Sequence, residues 1–393
     1  MKKVGNWFAA QWSRILISFF VCTLIISVLW IGQTTLLPGL STNEVAQAAS
    51  SQTLHQIINN PIGLPHKVLQ FSTQQLLPGP LGVRSASALL GAITLGCFFY
   101  VLKHWYSSRI AILGTLTLGT SSWFLNIGRL GTDASMYFLL FIAIACVTWI
   151  RKSHASILSL LVSAFVVTIL LYVPGMIWIV IPAVLWQIIQ LADRLEKHNP
   201  FLLTAISILI ILALAPIGWT LFKQPDLVKT YFGIPHTLPT LDVVGKNFLN
   251  IPVQLFYQGP NNPEIWLGRL PLLNIFSTAM FAIGLYAYAK KRRLDRTWFT
   301  LFVFIFGGAL VSIQGPVTTS ILTPFIYLMV AAGIALLLQQ WFTVFPRNPF
   351  ARTIGTVLMT LVVLIASYNG LHQYFIAWPN APETKAVFSQ KIN

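Results

Sequence analysis

Long apolar runs, each of about 18 residues or more, alternate with short polar segments along most of the chain. In lipid every backbone N–H and C=O needs a partner within the protein, so such runs predict helices rather than loops or open sheet. The pattern predicts an all-α polytopic membrane protein with about eleven transmembrane helices. The predicted spans are 15–36, 84–102, 110–127, 134–150, 156–173, 175–192, 201–222, 271–289, 297–313, 320–338 and 353–375.

Composition supports assignment to the membrane proteins and argues against one class of binding partner. Hydrophobic residues make up 56% of the chain and charged residues only 9%, whereas a soluble domain carries about 25% charged residues. The net charge of +16 comes from basic residues scattered in short clusters between apolar runs, which indicates topology signals and contacts with membrane lipids. We expect no nucleic-acid partner. The three cysteines lie inside apolar runs and predict neither a disulfide nor a thiolate metal site.

Basic residues also predict the orientation. The positive-inside rule places the N-terminus in the cytoplasm, with the cluster Lys290-Lys291-Arg292-Arg293 on the same side. Eleven spans then put the C-terminus outside the cell membrane. The predicted organisation is one transmembrane domain, 1–375, with outer loops 37–83 and 223–270, followed by a short extracytoplasmic tail, 376–393.

Acids are scarce, and the position of one of them is informative. Only nine residues are Asp or Glu, and Glu44 lies just past the first apolar run. A partly desolvated carboxylate at a membrane boundary, near basic groups, has the environment that a general base requires. The alternative is a first-turn acid stabilised by the dipole of an interfacial helix. The amphipathic segments 44–59 and 66–77 predict two such helices.

Asp133 precedes the fourth predicted span and follows Arg129 by four residues. One interpretation is helix capping, because Thr132 or Asp133 stands directly before an apolar run. The other is a second carboxylate that faces Glu44 across an outer cavity and binds the acceptor or a divalent cation. The residues define no complete metal-ligand set, so the metal requirement stays open.

Several cations fall on the predicted outer side, against the trend of the positive-inside rule. Arginine suits bidentate contact with phosphate, and lysine supplies a point charge; together with the outer acids they indicate a site for an anionic, phospholipid-like substrate. For any single cation, snorkelling to lipid headgroups is the simpler explanation. The candidate substrate contacts are Lys67, Arg84, Arg129 and Arg269, with His236 in an outer loop as a metal ligand or acceptor contact.

Four short motifs, in this order, resemble the GT-C membrane glycosyltransferases, particularly the branch of protein O-mannosyltransferases and lipid A aminoarabinose transferases. Asn43-Glu44 follows the first span, where that family carries an acidic motif. Segment 82–91 is similar to its Arg-containing start of the second span. Segments 122–133 and 315–327 look like its outer loop before the fourth span and its late proline-containing helix.

The resemblance implies inverting transfer of a sugar from a polyprenyl-phosphate donor to a hydroxyl of a lipid, glycan or protein acceptor on the extracytoplasmic face. Glu44 matches the acidic motif and Asp133 the second outer acid. Arg84 and Arg129 match phosphate-binding or structural cations. Lys67 lies where the interfacial helices of the family approach the donor.

Asn43 departs from the family pattern. The family usually carries two acids at this point, and the first is commonly taken as the base. An amide takes up no proton in the useful pH range. The resemblance therefore implies that Glu44 is the base and that Asn43 is a neighbouring substrate contact.

Two other function classes stay open. A transporter or flippase of polyprenyl-linked or anionic solutes would carry polar or broken helices at the bilayer midplane, whereas the predicted spans are nearly free of charge there. A catalytically silent membrane scaffold would share the motifs without activity. The sequence contains no Walker A, GxSxG or HExxH motif, which argues against an ATP-driven pump and a membrane zinc protease.

Overall fold

The computed structural model describes residues 19, 23, 26–153, 156–196, 199–290 and 295–390. Residues 15–18, 20–22, 24 and 25 of the first predicted span, 15–36, lie outside the described ranges, as does the basic cluster beyond Lys290. The described end of that span is helical over 26–30. The predicted all-α class is confirmed, since the described elements are helical apart from an isolated antiparallel bridge between Leu40 and Gln390.

The described helices run in sequence from the first outer segment to the C-terminal segment. The first are α1 (Thr42–Ala49), α2 (Leu54–Asn59), α3 (Leu64–Leu76), α4 (Gly79–Trp105), α5 (Ser108–Gly119), α6 (Ser122–Arg129), α7 (Leu139–Lys152), α8 (Ile157–Leu171) and α9 (Ile177–Leu195). The others are α10 (Pro200–Lys223), α11 (Asp226–Tyr231), α12 (Leu241–Phe256), α13 (Ile275–Lys290), α14 (Asp295–Ser312), α15 (Thr323–Val344), α16 (Pro349–His372), α17 (Trp378–Asn380) and α18 (Pro382–Val387). Short 3-10 helices over Asp133–Phe138 and Thr319–Leu322 lead into α7 and α15.

Helices coincide with every predicted span from 84–102 onward, but the count of eleven is not confirmed. Within the described ranges, five helical stretches are long and apolar enough to cross a membrane, and six if the bent pair α5 and α6 forms one span. The stretches begin with α4, the 3-10 turn before α7, α10, the 3-10 turn before α15, and α16. Helix α8 is apolar but has only 15 residues.

The third predicted span, 110–127, is not one straight helix. Helices α5 and α6 meet at an angle of 65°. The hydroxyl of Ser121 accepts a hydrogen bond from the backbone nitrogen of Phe124 at 3.2 Å, so it caps a new helix. Ser121 therefore interrupts this apolar run.

The predicted interfacial helix 44–59 is likewise two helices, α1 and α2. Each begins with its own capping box, formed by Ser41 and Glu44 in α1 and by Thr53 and Gln56 in α2. Two consecutive start signals separate the helices at the turn 50–53. The second predicted interfacial helix, 66–77, is confirmed as α3.

Helix α15 lies at the centre of the bundle and is buried along 323–335, while α10 is apolar and only Ile217 and Thr220 of its residues are buried. An apolar, exposed helix is stable in lipid, so α10 is a lipid-facing helix. Helix α4 joins the two ends of the bundle, about 40 Å apart at 1.5 Å per residue. We call the end with Glu44 and Asp133 the site end, and the end with Arg109, Lys290 and Arg296 the basic end.

Candidate functional site

A buried ion pair between Glu44 and Arg84 organises the site end. The Nε atom of Arg84 lies 2.8 Å from Oε1 of Glu44, and Nη2 lies 2.9 Å from Oε2. The Glu44 side chain is 0% exposed. Two parallel N–H···O bonds give this pair the geometry in which an arginine holds a carboxylate most firmly.

Backbone donors occupy the remaining positions on the Glu44 carboxylate. The nitrogen of Gly131 donates to Oε1 at 2.9 Å, and that of Ser41 donates to Oε2 at 3.1 Å. The Ser41 contact completes the capping box of α1, so the first-turn role considered for Glu44 is confirmed. Its role as a base stays a prediction, and in this arrangement each carboxylate oxygen already accepts two donors.

Gly131 is required by the close packing of this loop. A Cβ atom at this position would lie 2.5 Å from a methyl carbon of Val83 and 3.1 Å from the Val83 carbonyl oxygen. The missing side chain lets the loop approach α4 and reach Glu44. The predicted outer loop before the fourth span is thus a direct part of the Glu44 environment.

Arg84 and Arg129 both anchor the end of the first predicted span, 15–36, and Arg84 also anchors Gly39 just after it. Arg84 donates through Nη1 to the carbonyl of Gln33 at 2.6 Å and through Nη2 to that of Gly39 at 2.8 Å. Arg129 donates to the carbonyls of Val28 and Ile31. The carbonyls of Val28 and Ile31 lie at the C-terminal end of the helix over 26–30. A cation is favourable there because the helix dipole places partial negative charge at that end. Both arginines therefore have structural contacts that use most of their N–H donors.

Arg129 is also held by aromatic rings of the C-terminal segment. Its guanidinium carbon lies 5.2 Å from the ring centre of Tyr374 and 4.8 Å from that of Phe375. The Nε atom donates to the Tyr374 hydroxyl at 3.2 Å. Segment 374–375 therefore contributes directly to the site end.

Helix α3, which carries Lys67, packs against the 3-10 helix that begins at Asp133. Lys67 is only 6% exposed, and its Nζ donates to the carbonyl of Asn60 at 2.7 Å. Burial lowers the pKa of Lys67 to about 8, an effect that the nearby Asp133 carboxylate opposes. Asp133 is half-buried and begins a 3-10 helix. The preceding Thr132 makes no side-chain capping bond there.

His66 lies beside Lys67 but takes part in a different network. Its Nε2 is 3.1 Å from the Ser87 hydroxyl, and its Nδ1 is 3.4 Å from the amide nitrogen of Gln47. Burial, and to a lesser extent the charge of Lys67, lowers the pKa of His66 to about 4. The imidazole is therefore neutral at physiological pH and joins α1, α3 and α4 through hydrogen bonds.

Glu264 belongs to the site end, although its role was not predicted. Its Oε1 accepts a hydrogen bond from the Ser41 hydroxyl and its Oε2 one from Nδ2 of Asn43, both at 2.6 Å. Glu264 is only 6% exposed. The sequence places it among the outer acids, but no local motif connects it with residues more than 200 positions away.

The other predicted contacts lie at the surface. Asn43 is exposed and is tied to Glu264, whereas His236 and Arg269 are exposed residues of the outer segment 223–270. Among the described residues, no hydrogen bond or ion pair joins the His236 or Arg269 side chain to Glu44 or Lys67. In the same part of the chain, no group of three or more His, Cys, Asp or Glu is arranged to hold a metal ion.

No protein-family model and no curated protein sequence matches this chain. Solved structures do. ArnT from Cupriavidus metallidurans in the apo state superposes with a TM-score of 0.59 and 14% identity, covering 96% of this chain and 77% of that one. The same protein bound to undecaprenyl phosphate gives 0.54 and 12%, with 95% and 76% covered.

The apo oligosaccharyltransferase of Archaeoglobus fulgidus gives a TM-score of 0.54 and 12% identity, covering 96% of this chain and 60% of that one. ArnT and this oligosaccharyltransferase are GT-C glycosyltransferases. The chain has the GT-C fold. The resemblance inferred from four short motifs is thereby confirmed at the level of the GT-C fold.

Proposed function

We propose that this protein is a membrane glycosyltransferase that moves a sugar from a polyprenyl-phosphate donor to an acceptor hydroxyl on the extracytoplasmic face, with inversion. The observation that carries the proposal is the buried Lys67 on α3, which packs against the 3-10 helix beginning at Asp133, in a GT-C fold. A cation and a carboxylate on two packed elements at one end of a membrane bundle suit a substrate with an anionic phosphate and a reaction with a proton to remove. ArnT, a protein of the same fold, binds undecaprenyl phosphate.

Lys67 is the donor contact in this proposal. Its ammonium group is a compact charge with three N–H donors, and among the described residues it donates one hydrogen bond, to the carbonyl of Asn60. The other donors bind the lipid phosphate as it leaves. Arg84 and Arg129 hold the surrounding segment in place, because their donors contact backbone carbonyls and Glu44.

Asp133 is the acceptor base in this proposal, and Glu44 positions the site. Asp133 is half-buried, whereas Glu44 is fully buried and holds four donors. The Asp133 carboxylate takes the proton of the acceptor hydroxyl as that oxygen attacks the anomeric carbon. The bond between the anomeric carbon and the phosphate oxygen breaks, and the polyprenyl phosphate leaves with the electron pair.

The remaining predicted residues have peripheral roles in this proposal. Asn43 and Glu264 border the acceptor side, and the exposed His236 and Arg269 contact acceptors on the outer segment 223–270. A divalent cation is not required by the balance of the reaction. The acceptor is a lipid, a glycan or a protein, and a panel of acceptors from these three classes distinguishes them.

A transfer assay in lipid tests the proposal. The full-length protein is given a panel of polyprenyl-phosphate sugars and acceptors, and wild type is compared with Asp133→Asn and Lys67→Met. The controls are Asp242→Asn and Lys246→Met, which alter an exposed ion pair with side chains 71% and 75% exposed. We expect loss of transfer in the first two variants and retention in the controls. No transfer by wild type from any donor, combined with movement of labelled lipid across vesicles, would reverse the conclusion in favour of a flippase.

A further inference from the structure

A cavity of about 710 Å³ opens at the basic end of the bundle, at the opposite end of α4 from Lys67 and Asp133. It lies where the ends of α4, α13 and α15 meet the starts of α5 and α14. Its volume is within the usual range of ligand pockets, roughly 300–1,000 Å³. No part of the proposed transfer reaction uses this cavity.

The cavity wall carries positive charge. Arg109, Lys290 and Arg296 line it, and its described lining residues include no Asp or Glu. Helix α5 begins at the wall, and Ser107 caps it by accepting a hydrogen bond from the nitrogen of Ile110. The N-terminal end of this 12-residue helix adds a partial positive charge. The electrostatic environment therefore favours an anion.

Arg296 is held in place by three aromatic rings. Its guanidinium carbon lies 5.4 Å from the ring centre of Trp105, 5.7 Å from that of Tyr106 and 5.6 Å from that of Tyr288. Cation–π contacts act on the face of the guanidinium and use none of its N–H donors. The aromatic cage thus positions a cation at the cavity while leaving it suited to bidentate recognition.

Tyr288 contributes its side chain to the cavity wall. It is only 4% exposed, and its hydroxyl oxygen is closed off from the cavity and has no hydrogen-bond partner among the described residues. The polar contacts that the cavity offers to an anion therefore come from its cations.

We propose that this cavity binds the phosphate headgroup of an anionic membrane phospholipid. The cations of the wall contact the phosphate, while the acyl chains lie along the apolar wall formed by Ala335, Leu338 and Phe342 of α15. A soluble anion would make no favourable contact with that apolar wall, whereas acyl chains would be stabilised by it. Basic pockets between membrane helices suit anionic lipid headgroups, and the positive-inside prediction places this one at the cytoplasmic leaflet.

Lipid binding by the full-length protein tests the proposal. Retention of phosphatidylglycerol and of phosphatidylcholine is measured by native mass spectrometry for wild type and for Lys290→Gln, Arg109→Gln and Tyr288→Phe. The control is Lys103→Gln, which removes an exposed cation near the same end that does not line the cavity. We expect wild type to retain phosphatidylglycerol selectively and each charge variant to bind it about fivefold more weakly. Tyr288→Phe should leave retention unchanged, because it keeps the ring at the cavity wall and removes only a hydroxyl that is closed off from the cavity.

Two results would overturn the proposal. An equal loss in Lys103→Gln would mean that the lipid responds to overall surface charge rather than to the cavity. Displacement of phosphatidylglycerol by an equal concentration of inorganic phosphate would assign the cavity to a soluble anion. Neither readout depends on sugar transfer, so the outcome is independent of the proposed reaction.

Discussion

The carboxylate of Glu264 lies 2.6 Å from the side-chain nitrogen of Asn43, so an acid from a distant outer segment stands beside the position where GT-C sequences usually carry one. The same carboxylate accepts a second bond from Ser41. The start of α1 is therefore tied to the outer segment 223–270. An amide at position 43 suits this arrangement because it donates a hydrogen bond to Glu264, whereas a second carboxylate there would repel it.

Replacing Glu264 by Gln should destabilise the protein by about 2 kcal/mol, because hydrogen bonds to charged groups contribute about 1.5–3 kcal/mol each and the amide retains only part of them. Chemical denaturation in lipid-matched detergent measures the change. Glu383→Gln is the matched control, since Glu383 is exposed. Equal stability of the two variants would mean that the contacts of Glu264 contribute little.

Breaking the Glu44–Arg84 pair should cost far more than breaking an exposed pair. Glu44→Gln leaves Arg84 buried without its counter-charge, so we expect a loss of about 3–5 kcal/mol in the free energy of unfolding. Lys246→Met, which breaks an exposed pair with Asp242, should cost less than about 1 kcal/mol. Comparable losses in the two variants would contradict the structural role of Glu44.

The pKa of Lys67 gives a pH dependence with a defined sign. Phosphate binding requires the ammonium form, so kcat/KM for the donor should fall as pH rises through about 8. Lys67→Arg should keep its charge and remove this decline, even where the overall rate is lower. The pH dependence of kcat/KM is measured for wild type and Lys67→Arg. The same decline at alkaline pH in the arginine variant would mean that a group other than Lys67 causes it.

The contribution of Lys67 to folding stability should rise with pH, whereas its contribution to donor binding should fall. Its pKa in the folded protein, about 8, is below the ordinary value of 10.5. Between these two values the unfolded chain binds a proton that the folded protein has released, so the contribution of Lys67 to stability rises with pH. The difference in unfolding free energy between wild type and Lys67→Met, followed from pH 7 to 10, measures this contribution.

Helices α13 and α15 should tolerate no added side chain at their closest approach. A Cβ atom at Gly284 would lie 1.9 Å from the carbonyl oxygen of Met329, and one at Gly333 would lie 2.0 Å from that of Met280. Gly333→Ala must separate the two helices and should prevent accumulation of folded protein. Gly96→Ala is the control, because nothing lies within 4 Å of a Cβ there. Size-exclusion profiles of the purified variants distinguish the two outcomes.

Local signals in the sequence predicted the helices of the outer segment better than their contacts. The Ser41–Glu44 capping box is a short-range pattern, and the prediction that Glu44 belongs to a helix start is confirmed. The Arg84 partner lies 40 positions away, and Glu264 meets Asn43 across 221 positions. No periodicity connects such residues, because their proximity results from packing of the complete bundle.

Apolar run lengths predicted where helices lie but not how each one crosses the bundle. The run 110–127 has the length of a span, yet the Ser121 cap bends it. Hydropathy sums the side chains and is insensitive to one hydroxyl that starts a new helix. The sequence likewise did not predict the central position of α15 or the lipid-facing position of α10, because both helices are strongly apolar.

The bridge between Leu40 and Gln390 has a consequence for biosynthesis. The backbone groups of these residues exchange two hydrogen bonds, at 2.8 and 3.2 Å, and the Phe388 ring lies 5.8 Å from the Arg84 guanidinium. Segment 388–390 is synthesised after all the helices of the membrane bundle, whereas Leu40 and Arg84 are among the first residues to be inserted. The site end therefore stays incomplete until segment 388–390 has been synthesised and has packed at the same end of the bundle as Leu40.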